Sequence, residues 1–381
     1  MNNEIRIALI GYKFMGKAHS HGYRAVPLFF DTDVKPVLKV ICGRNEAEVA
    51  RAAGRLGWEA VETDWRKAVC RDDVDLVDIC SPVDSHCTIA VEAIGAGKAV
   101  VCEKPLARDV REAATMAQAA AKAGVPNMVA YTFRHIPAVR LAKELIEAGE
   151  LGSIYHWSAR WLTDIYLDPA VPIEWRMHRD IAGSGVLGDI GSHIVDLAGY
   201  LVGPVTKVVG QTRTFVAQRP YAEDPARRGQ VDVEDVASFL AAFGCGATGV
   251  FECSKLAGGE KESFGFTIYG SKGALRYDYQ HLNELAYYSV SQPTRTSGFC
   301  TIRLPHASHT YGGKWMRTPG HGDGYGDLFI HQAYSILRAL SDGRPLVPSF
   351  RDGLAVQATL SAVEMSVLSN GWVSVSDVPM T

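Results

Sequence analysis

The sequence predicts two domains of different class: an α/β domain with a parallel sheet, and an α+β domain with a large, mostly antiparallel open sheet. Three observations support this prediction. The chain has 381 residues, and at about 150 residues per domain this length gives two to three domains. Up to about residue 130, short apolar strands alternate with helical patterns, as in a parallel sheet covered on both faces. Beyond that point strands follow one another directly, which favours antiparallel pairing, so we predict domains at residues 1–130 and 131–381.

The parallel sheet is predicted from five apolar runs, and most of the helices between them carry recognisable end signals. Asp84 or Ser85 can cap the third helix, and Gly97 can end it. Strands are predicted at 5–10, 37–42, 74–80, 99–102 and 127–133, and helices from the glycine loop to about Val26, over 46–57, over 86–96 and from Asp109 to Gly124.

The second domain begins with an amphipathic helix over 137–149 and then becomes rich in strands. The segment Thr267–Arg276 predicts a hairpin with a glycine-bearing turn. An open sheet of this size must cover its second face, so we predict a homodimer or homotetramer formed through the sheet. Strands are predicted at 153–162, 205–216, 235–243, 247–255, 263–270, 273–279 and 284–290, helices at 186–202, 326–341 and 352–369, and loops at 217–232 and 292–325.

The composition is that of an ordinary globular protein. Hydrophobic residues make up 47% and charged residues 21%, and 39 basic residues against 42 acidic ones leave a net charge of −3. These values argue against a disordered chain, a coiled coil or a membrane protein, and they predict no attraction to nucleic acid or anionic lipid. The 37 glycines are unusually many, which predicts either many loops or repeated close approach of the backbone to a ligand.

The cysteines and the first residues predict a compartment. The eight cysteines include no C-x-x-C pair, and Cys42, Cys80 and Cys102 lie in or beside predicted buried strands. The apolar stretch near the start is short and contains Arg6, unlike a secretory signal. We therefore predict a reduced, cytoplasmic protein without a metal.

A glycine loop between the first strand and the first helix predicts a dinucleotide site. The loop contains Gly11, Phe14, Met15 and Gly16, but Lys13 stands where the G-x-G-x-x-G pattern has its middle glycine. The backbone N–H groups at the start of the helix would bind a pyrophosphate, helped by the helix dipole. A tight turn in some other α/β domain is the alternative.

The end of the second strand bears on the choice of cofactor. NAD sites usually place an acidic residue there, and this chain instead has Gly43 followed by Arg44. The guanidinium of Arg44 suits a 2′-phosphate, and Lys13 could add a second cation. We therefore expect NADP to be favoured, with NAD possible, unless Arg44 is only a solvated surface residue.

Three stretches of the sequence carry a family resemblance. They are GYKFMGKAHS in the glycine loop, the pair of segments around Ser81-Pro82 and Glu103-Lys104-Pro105, and the stretch GSGVLGDIGSHIVD from Gly183 to Asp196. Together they resemble the glucose–fructose oxidoreductase/inositol dehydrogenase (Gfo/Idh/MocA) family. Their order and spacing match over essentially the whole chain. Within the family, FMGKAHS, CEKPLA and AGSGVLGDIGSHIVDLAGYLVG are most similar to sugar dehydrogenases of the levoglucosan type. The resemblance implies a dinucleotide-binding Rossmann domain and a dehydrogenase acting on a small carbohydrate.

The resemblance also implies a catalytic set of Lys104, Asp189 and His193. Lys104 follows the fourth strand and would project from the carboxyl edge of the sheet, where ligands bind in open α/β sheets. Its ammonium would stabilise a developing alkoxide, His193 would take the hydroxyl proton, and Asp189 would bind a substrate hydroxyl or orient the histidine. Read alone, the spacing of Asp189, His193, Asp196 and Tyr200 predicts only the polar stripe of an amphipathic surface helix.

Further site residues are implied less strongly. Trp161 and Asp164 could face a sugar, through an aromatic face and a hydroxyl-accepting carboxylate, although core packing also explains Trp161. One or two groups of the late loop could reach a substrate: His306, His309, His321 and Asp323. By resemblance, Ser81, Pro82, His86, Glu103, Trp175 and Arg176 would line the cofactor, and Arg134 the substrate.

The sequence therefore predicts an NAD(P)-dependent dehydrogenase that oxidises a secondary hydroxyl of a sugar, anhydrosugar, inositol or glycoside. Two alternatives stay open. One is an NAD-dependent enzyme that cleaves or epimerises a glycoside through transient oxidation, and the other is a non-catalytic regulator that senses the cofactor. The retained Lys104, Asp189 and His193 argue for the dehydrogenase.

Overall fold

The computed structural model describes residues 4–306, 308–311, 318 and 320–380. These residues form two compact units, one containing residues 4–135 and 323–354, the other containing the described residues from 136 to 322 together with 355–380. This division differs from a single boundary near residue 130, because the helix Tyr325–Ser341 packs against the helix Phe14–Phe29 of the first unit. The rings of Phe30 and Tyr334 stack at 4.3 Å in this contact. A late chain segment thus completes the first unit, which a contiguous pattern cannot reveal.

Most of the longer helices lie within a few residues of the predicted bounds, although the first helix extends to Phe29 and the short helices Trp65–Val69 and Arg179–Ala182 were not predicted. Asp109 caps its helix by accepting from the N–H groups of Arg111 and Glu112, and Gly124 ends it in the left-handed conformation. Ser85 provides no side-chain cap, because a 3₁₀ turn precedes that helix and its hydroxyl donates to the Pro82 carbonyl. The helices are α1 Phe14–Phe29, α2 Glu46–Leu56, α3 Trp65–Val69, α4 His86–Gly95, α5 Val110–Ala123, α6 Pro137–Glu147, α7 Arg179–Ala182, α8 Ser192–Leu201, α9 Tyr325–Ser341 and α10 Phe350–Ser369.

The first unit contains a parallel sheet of six strands in the order β3-β2-β1-β4-β5-β6. The predicted parallel arrangement is confirmed, while the short β3 and α3 were not predicted, and the last strand is shorter than 127–133 because a 3₁₀ turn starts at Thr132. The strands are β1 Glu4–Ile10, β2 Lys35–Cys42, β3 Ala60–Glu62, β4 Leu76–Ile79, β5 Ala99–Cys102 and β6 Asn127–Val129.

The second unit contains a sheet of nine strands, in the order β16-β15-β14-β13-β7-β12-β11-β8-β17. Its pairs are antiparallel apart from β7 with β12, so the predicted mostly antiparallel sheet is confirmed. The predicted hairpin is β13–β14, which turns at Ser271 and Lys272. The strands are β7 Ile154–Leu162, β8 Val205–Arg213, β9 Gln218–Pro220, β10 Arg228–Gln230, β11 Val236–Phe243, β12 Thr248–Ser254, β13 Ser263–Gly270, β14 Gly273–Asp278, β15 Glu284–Ser289, β16 Cys300–Arg303 and β17 Val373–Ser374.

Two segments predicted as loops contain strands. Residues 217–232 form the small hairpin of β9 and β10, stabilised by Arg219, which is fully buried and donates to the Tyr166 and Asp168 carbonyls. Residues 292–325 contain β16, which extends the large sheet by pairing with β15. Residues 307, 312–317 and 319 of this predicted loop lie outside the described residues.

The two faces of the large sheet differ. On one face, aromatic rings pack together beneath the helices of the unit, with Trp157 against Phe266 at 5.2 Å and Phe239 against Phe251 at 4.5 Å. On the other face, Leu240 and Val250 lie directly opposite each other and are 48% and 39% exposed. Alternation along the two strands therefore leaves this apolar pair facing outward on this unit. Within the described residues, no helix is both long and apolar enough to span a bilayer.

Candidate functional site

The glycine loop requires glycine at two positions and tolerates lysine at the third. Gly11 has φ +106°, and a Cβ there would lie 2.6 Å from the Cys80 carbonyl oxygen. A Cβ on Gly16 would lie 2.0 Å from the carbonyl oxygen of Gly11. Lys13 instead has φ −78°, a conformation open to any residue, and its side chain is exposed. The departure from the glycine pattern therefore leaves the fold of the loop intact.

The first turn of α1 is suited to an anionic group. Lys13 is the N-cap residue and provides no side-chain hydrogen bond to the turn, and the turn contains no acidic residue. Its backbone N–H groups and the helix dipole can therefore bind a pyrophosphate, so the loop fits the cofactor that the sequence predicts. Phe14 beside it is 65% exposed and stacks on Tyr325 at 6.4 Å.

The end of β2 carries an acidic group that the sequence analysis did not find. A Cβ on Gly43 would lie 2.1 Å from Cε1 of Tyr12, so the tyrosine ring occupies the space that an acidic side chain would need. The Tyr12 hydroxyl donates to Glu48 at 2.7 Å. That bond and burial raise the pKa of Tyr12. Arg44 is exposed beside this pair. No sequence motif identifies Glu48, because it is the third residue of α2 and contacts this strand end through Tyr12.

The segments after β4 and β5 are joined to each other by a histidine. His86 is 1% exposed, and its ring nitrogens lie 2.9 Å from the Ser81 carbonyl and 3.1 Å from the Pro105 carbonyl. Burial lowers the pKa of His86. The hydroxyl of Ser81 is hydrogen-bonded to that of Ser85 at 2.6 Å. Of this predicted cofactor group, His86 holds two loops together, and Ser81 and Pro82 lie at the edge of the sheet.

Glu103 is also turned inward. It is 4% exposed, and its two oxygens contact the His19 ring at 3.0 Å and accept the Lys104 N–H at 3.1 Å. Lys104 follows it at the carboxyl end of β5 and is partly exposed. The structure thus brings Lys104 to the predicted edge, with Glu103 supporting its main chain.

Asp189 lies between two cations in the second unit. The ammonium of Lys255 is 2.9 Å from Asp189 Oδ2, and Nε of Arg176 is 4.0 Å from Oδ1. Lys255 is 2% exposed, and its ammonium lies 5.2 Å from the centre of the Tyr166 ring. Lys255 was missed by the sequence analysis, because a single lysine after β12 belongs to no motif. A carboxylate held in this way can accept hydrogen bonds from hydroxyl groups.

His193 lies one helical turn beyond Asp189. It is 7% exposed, and its ring lies 5.1 Å from the Trp161 ring. The Trp161 indole N–H donates to Glu262 at 2.8 Å. Trp161 therefore packs against the imidazole of the candidate base. The tryptophan itself is buried, at 6% exposure.

The helix that carries these residues is neither regular nor amphipathic as predicted. Residues Leu187–Gly191 form a π-helical turn that continues into α8, and nearly every residue of α8 is buried, including Asp196. The even stripe predicted from α-helical spacing does not exist, because the π turn changes the register between Asp189 and His193. Such π turns are common at functional sites.

A buried carboxylate fixes the start of this π-helical turn. Glu234 is 6% exposed and accepts from the N–H groups of Gly185 at 2.8 Å and Leu187 at 2.9 Å. Burial raises the pKa of Glu234. A Cβ on Gly185 would lie 2.1 Å from the Glu234 carbonyl oxygen, so this close approach requires glycine.

Replacing Gly185 by alanine is expected to disturb the candidate site. The added methyl must displace the backbone of Glu234 and hence the π turn, at a cost of about 1–3 kcal/mol. The melting temperature and the turnover number should both fall. Gly199→Ala on α8 is the matched control, because open space surrounds that position. Alanine has a higher helix propensity than glycine, so this variant should be as stable as the wild-type protein or more stable. Equal behaviour of the two variants would contradict the role of Gly185.

The other predicted residues are placed in several environments. Asp164 binds the Lys261 ammonium at 2.6 Å and accepts from the Gly259 N–H, so its carboxylate closes a local loop. Arg134 is 9% exposed, with a guanidinium nitrogen 4.0 Å from Asp352. The Arg176 guanidinium lies over the Trp175 ring at 4.3 Å, so this pair forms one surface with Asp189.

The late-loop histidines do not form one cluster with Asp323. His306 lies 5.5 Å from His309, ring to ring, and contacts Ser308 at 2.7 Å. His321 is exposed. Asp323 is instead a buried partner of His331 on α9, at 3.0 Å, in the first unit. The Asp323 carboxylate is therefore used in this buried pair.

Two family models match the chain, one over the region of the parallel sheet and one over part of the region of the mostly antiparallel sheet. One, described as an oxidoreductase family with an NAD-binding Rossmann fold, matches residues 5–131. The other, described as the GFO/IDH/MocA C-terminal domain, matches residues 139–276. The chain is also 37% identical over 386 residues to levoglucosan dehydrogenase of Pseudarthrobacter phenanthrenivorans, covering 98% of this chain and 99% of the relative.

Solved structures give the same picture. An oxidoreductase domain protein from Kribbella flavida aligns with a TM-score of 0.94 at 46% identity, covering 98% of this chain and 99% of that one. A levoglucosan dehydrogenase in complex with NADH and levoglucosan aligns with a TM-score of 0.94 at 38% identity, over 98% and 99% of the two chains. The similarity therefore extends over the full length of the described fold.

Proposed function

This chain belongs to the Gfo/Idh/MocA family of NAD-binding oxidoreductases, and from that premise we propose that it oxidises a secondary hydroxyl of a sugar, anhydrosugar, inositol or glycoside. The observation that carries the proposal is the pairing of Asp189 with the buried Lys255, one helical turn before His193. A carboxylate and an imidazole on one segment can receive a polyhydroxylated substrate and accept its proton.

Each catalytic residue has a distinct task in this proposal. The Lys104 ammonium donates a hydrogen bond to the reacting oxygen and stabilises the negative charge that develops on it. His193 accepts the hydroxyl proton. Asp189 accepts a hydrogen bond from a substrate hydroxyl, and Lys255 and Arg176 hold the carboxylate in place. Bound NAD supplies the acceptor for the hydride that leaves the carbon.

NAD(H) is the cofactor that we propose. One matching family model is described as NAD-binding, and levoglucosan dehydrogenase structures hold NADH. The preference for NADP predicted from Arg44 has no support there. Glu48, held beside Gly43 by Tyr12, supplies an acidic group at this strand end, which suits ribose hydroxyls better than a 2′-phosphate.

The function is tested by an absorbance screen at the reduced-nicotinamide band. Pyranoses, anhydrosugars, inositols and glycosides are each supplied with NAD and, separately, with NADP. We expect reduction of NAD with at least one polyol that carries a free secondary hydroxyl. Release of a cleaved or epimerised sugar without net cofactor reduction would overturn the proposal in favour of transient oxidation.

We also propose that the outward face of the large sheet joins subunits into a homodimer or homotetramer. Leu240 and Val250 form a cross-strand apolar pair on this face, and Tyr269, which stacks with His156, is 41% exposed. A cytoplasmic location stays a prediction, supported by eight cysteines that are free in the structure.

The double variant Leu240→Glu/Val250→Glu is expected to dissociate the oligomer. Two opposed carboxylates in a subunit interface would be desolvated next to each other, which disfavours association strongly. Sedimentation velocity should show a shift to monomer. Leu368→Glu is the control, since Leu368 is 84% exposed on α10, and it should leave the sedimentation coefficient unchanged. A monomeric wild-type protein would contradict the proposed assembly.

A further inference from the structure

A buried histidine links the cofactor-binding helix to the segment that carries Lys104. His19 on α1 is 3% exposed, and its ring lies between two carboxylates. Nδ1 is 2.8 Å from Asp78 Oδ2, and Nε2 is 3.0 Å from Glu103 Oε1. Asp78 belongs to β4 and Glu103 directly follows β5, so one ring ties α1 to two strands of the parallel sheet.

The surroundings of His19 determine its protonation. Ionised carboxylates only accept hydrogen bonds, so both ring nitrogens must donate, which makes the ring an imidazolium. Burial is the largest single effect and lowers the pKa of His19, but the charge of Asp78 and the hydrogen bonds around the ring together outweigh it, so the pKa is raised well above 6.5. The Tyr23 hydroxyl donates to the same Asp78 oxygen at 2.8 Å, and Cys80 Sγ lies 3.6 Å from the other.

This arrangement is that of a charge network rather than of a metal site. His19, Asp78 and Cys80 lie close enough together to bind a metal ion. An imidazolium that donates from both nitrogens has no lone pair for a metal. Burial also raises the pKa of the Cys80 thiol, which disfavours the thiolate that a metal would need.

The network ends on the main chain of Lys104. Glu103 uses one oxygen for His19, and its other oxygen accepts the Lys104 N–H at 3.1 Å. On the far side of Lys104, the Pro105 carbonyl contacts the His86 ring. The position of the Lys104 backbone therefore depends on the orientation of Glu103, and that orientation depends on the cation next to it.

We propose that His19 is a positioning residue for Lys104, acting through Glu103. The imidazolium neutralises the buried Glu103 carboxylate and holds it so that its second oxygen fixes the Lys104 N–H. Without the cation, a buried carboxylate either takes up a proton or turns toward water, and the Lys104 segment loses its support. This inference rests on the proposed function, in which Lys104 acts on the reacting oxygen.

A double-mutant cycle tests the inference. His19→Gln is expected to lower kcat about 10- to 100-fold with little change in KM for the sugar, as for a small misplacement of a group that acts in the transition state. In a Lys104→Ala background, His19→Gln should change kcat less than about twofold, because the group that it positions is gone. Glu103→Gln should behave like His19→Gln and guards against misfolding of one variant.

Hydrogen exchange gives a readout that is independent of turnover. In His19→Gln, the Lys104 amide should exchange at least about tenfold faster than in the wild-type protein, since its acceptor is no longer held. Tyr23→Phe is the matched control, because Tyr23 contacts Asp78 and not Glu103. It removes one bond of the same buried network, lowers thermal stability, and should leave both kcat and the Lys104 exchange rate within about twofold.

The outcomes separate the inference from the function on which it rests. One outcome is that Lys104→Ala lowers kcat while His19→Gln lowers it by the same factor in the Lys104→Ala background as in the wild-type background. In that case the positioning role fails and the proposed function stands. If Lys104→Ala turns over normally, the proposed function of Lys104 fails, and the positioning role fails with it. If Tyr23→Phe slows turnover and speeds exchange as much as His19→Gln does, the network is only structural and the inference is overturned.

Discussion

Replacing His193 by alanine is expected to lower kcat/KM for sugar oxidation by about 10²- to 10⁴-fold. His193 would accept the hydroxyl proton, and without this acceptor the substrate hydroxyl must give its proton to water as the alkoxide develops. The imidazole is 7% exposed and packs on Trp161, so its removal leaves a small cavity beside that ring. Added imidazole in solution should therefore restore part of the lost turnover in the alanine variant.

The dependence of this reaction on pH has a definite sign. Oxidation releases the hydroxyl proton, so turnover by the wild-type enzyme should slow as the pH falls, and His193→Ala should show a different profile because its proton goes directly to solvent. Initial rates of NAD reduction across neutral pH measure both profiles. His281→Ala is the control, since His281 is an exposed histidine of the same unit. Normal turnover in His193→Ala, together with an unchanged pH profile, would remove His193 from the mechanism.

Local patterns were enough to predict the parts of the fold that local chemistry determines. The helix α5 begins at Asp109 and ends at Gly124 because an aspartate cap and a left-handed glycine act within one turn. Gly11 and Gly16 were found because close approach of two backbones excludes any side chain. Lys104, likewise, was placed at the sheet edge simply because it follows a buried strand.

The parts that could not be predicted depend on contacts between distant residues. The π turn at Leu187–Gly191 has the apolar spacing of an α-helix, and its start is fixed by Glu234, about fifty positions further along the chain. Lys255 pairs with Asp189 across a similar separation and belongs to no motif. Asp323 was predicted to lie in a loop, whereas in the structure its carboxylate pairs with His331 of α9.

The buried acidic groups of each unit follow one principle. Asp189, Glu103 and Asp78 are carboxylates in mostly buried surroundings, and each lies against a cation or a hydrogen-bond donor. Burial of an unpaired carboxylate would cost several kcal/mol, so these partners are required wherever the acids are required. Lys255 and His19, to which the sequence alone assigned no role, are the cations that pair with Asp189, Asp78 and Glu103.

Replacing Lys104 by alanine is expected to lower kcat about 10²- to 10³-fold, the usual effect of removing one donor from a developing oxyanion. KM for the sugar should change much less, because the alkoxide charge is present in the transition state and largely absent from the bound alcohol. The residue is partly exposed, so thermal stability should stay close to that of the wild-type protein. Steady-state kinetics with the best sugar from the screen, together with NADH binding by fluorescence, separate these effects.

Two further variants sharpen the Lys104 prediction. Lys104→Arg keeps the positive charge but replaces a compact ammonium with a planar fork, so it should recover only part of the rate if the position of the charge matters. Lys122→Ala removes an exposed lysine from α5 and should leave kcat unchanged, which controls for the loss of one positive charge from this unit. A large rise in KM with an unchanged kcat would assign Lys104 to uniform substrate binding and would contradict its action on the alkoxide. A fall in kcat in Lys104→Ala, with KM unchanged and no such fall in Lys122→Ala, would support direct action of the Lys104 ammonium on the reacting oxygen.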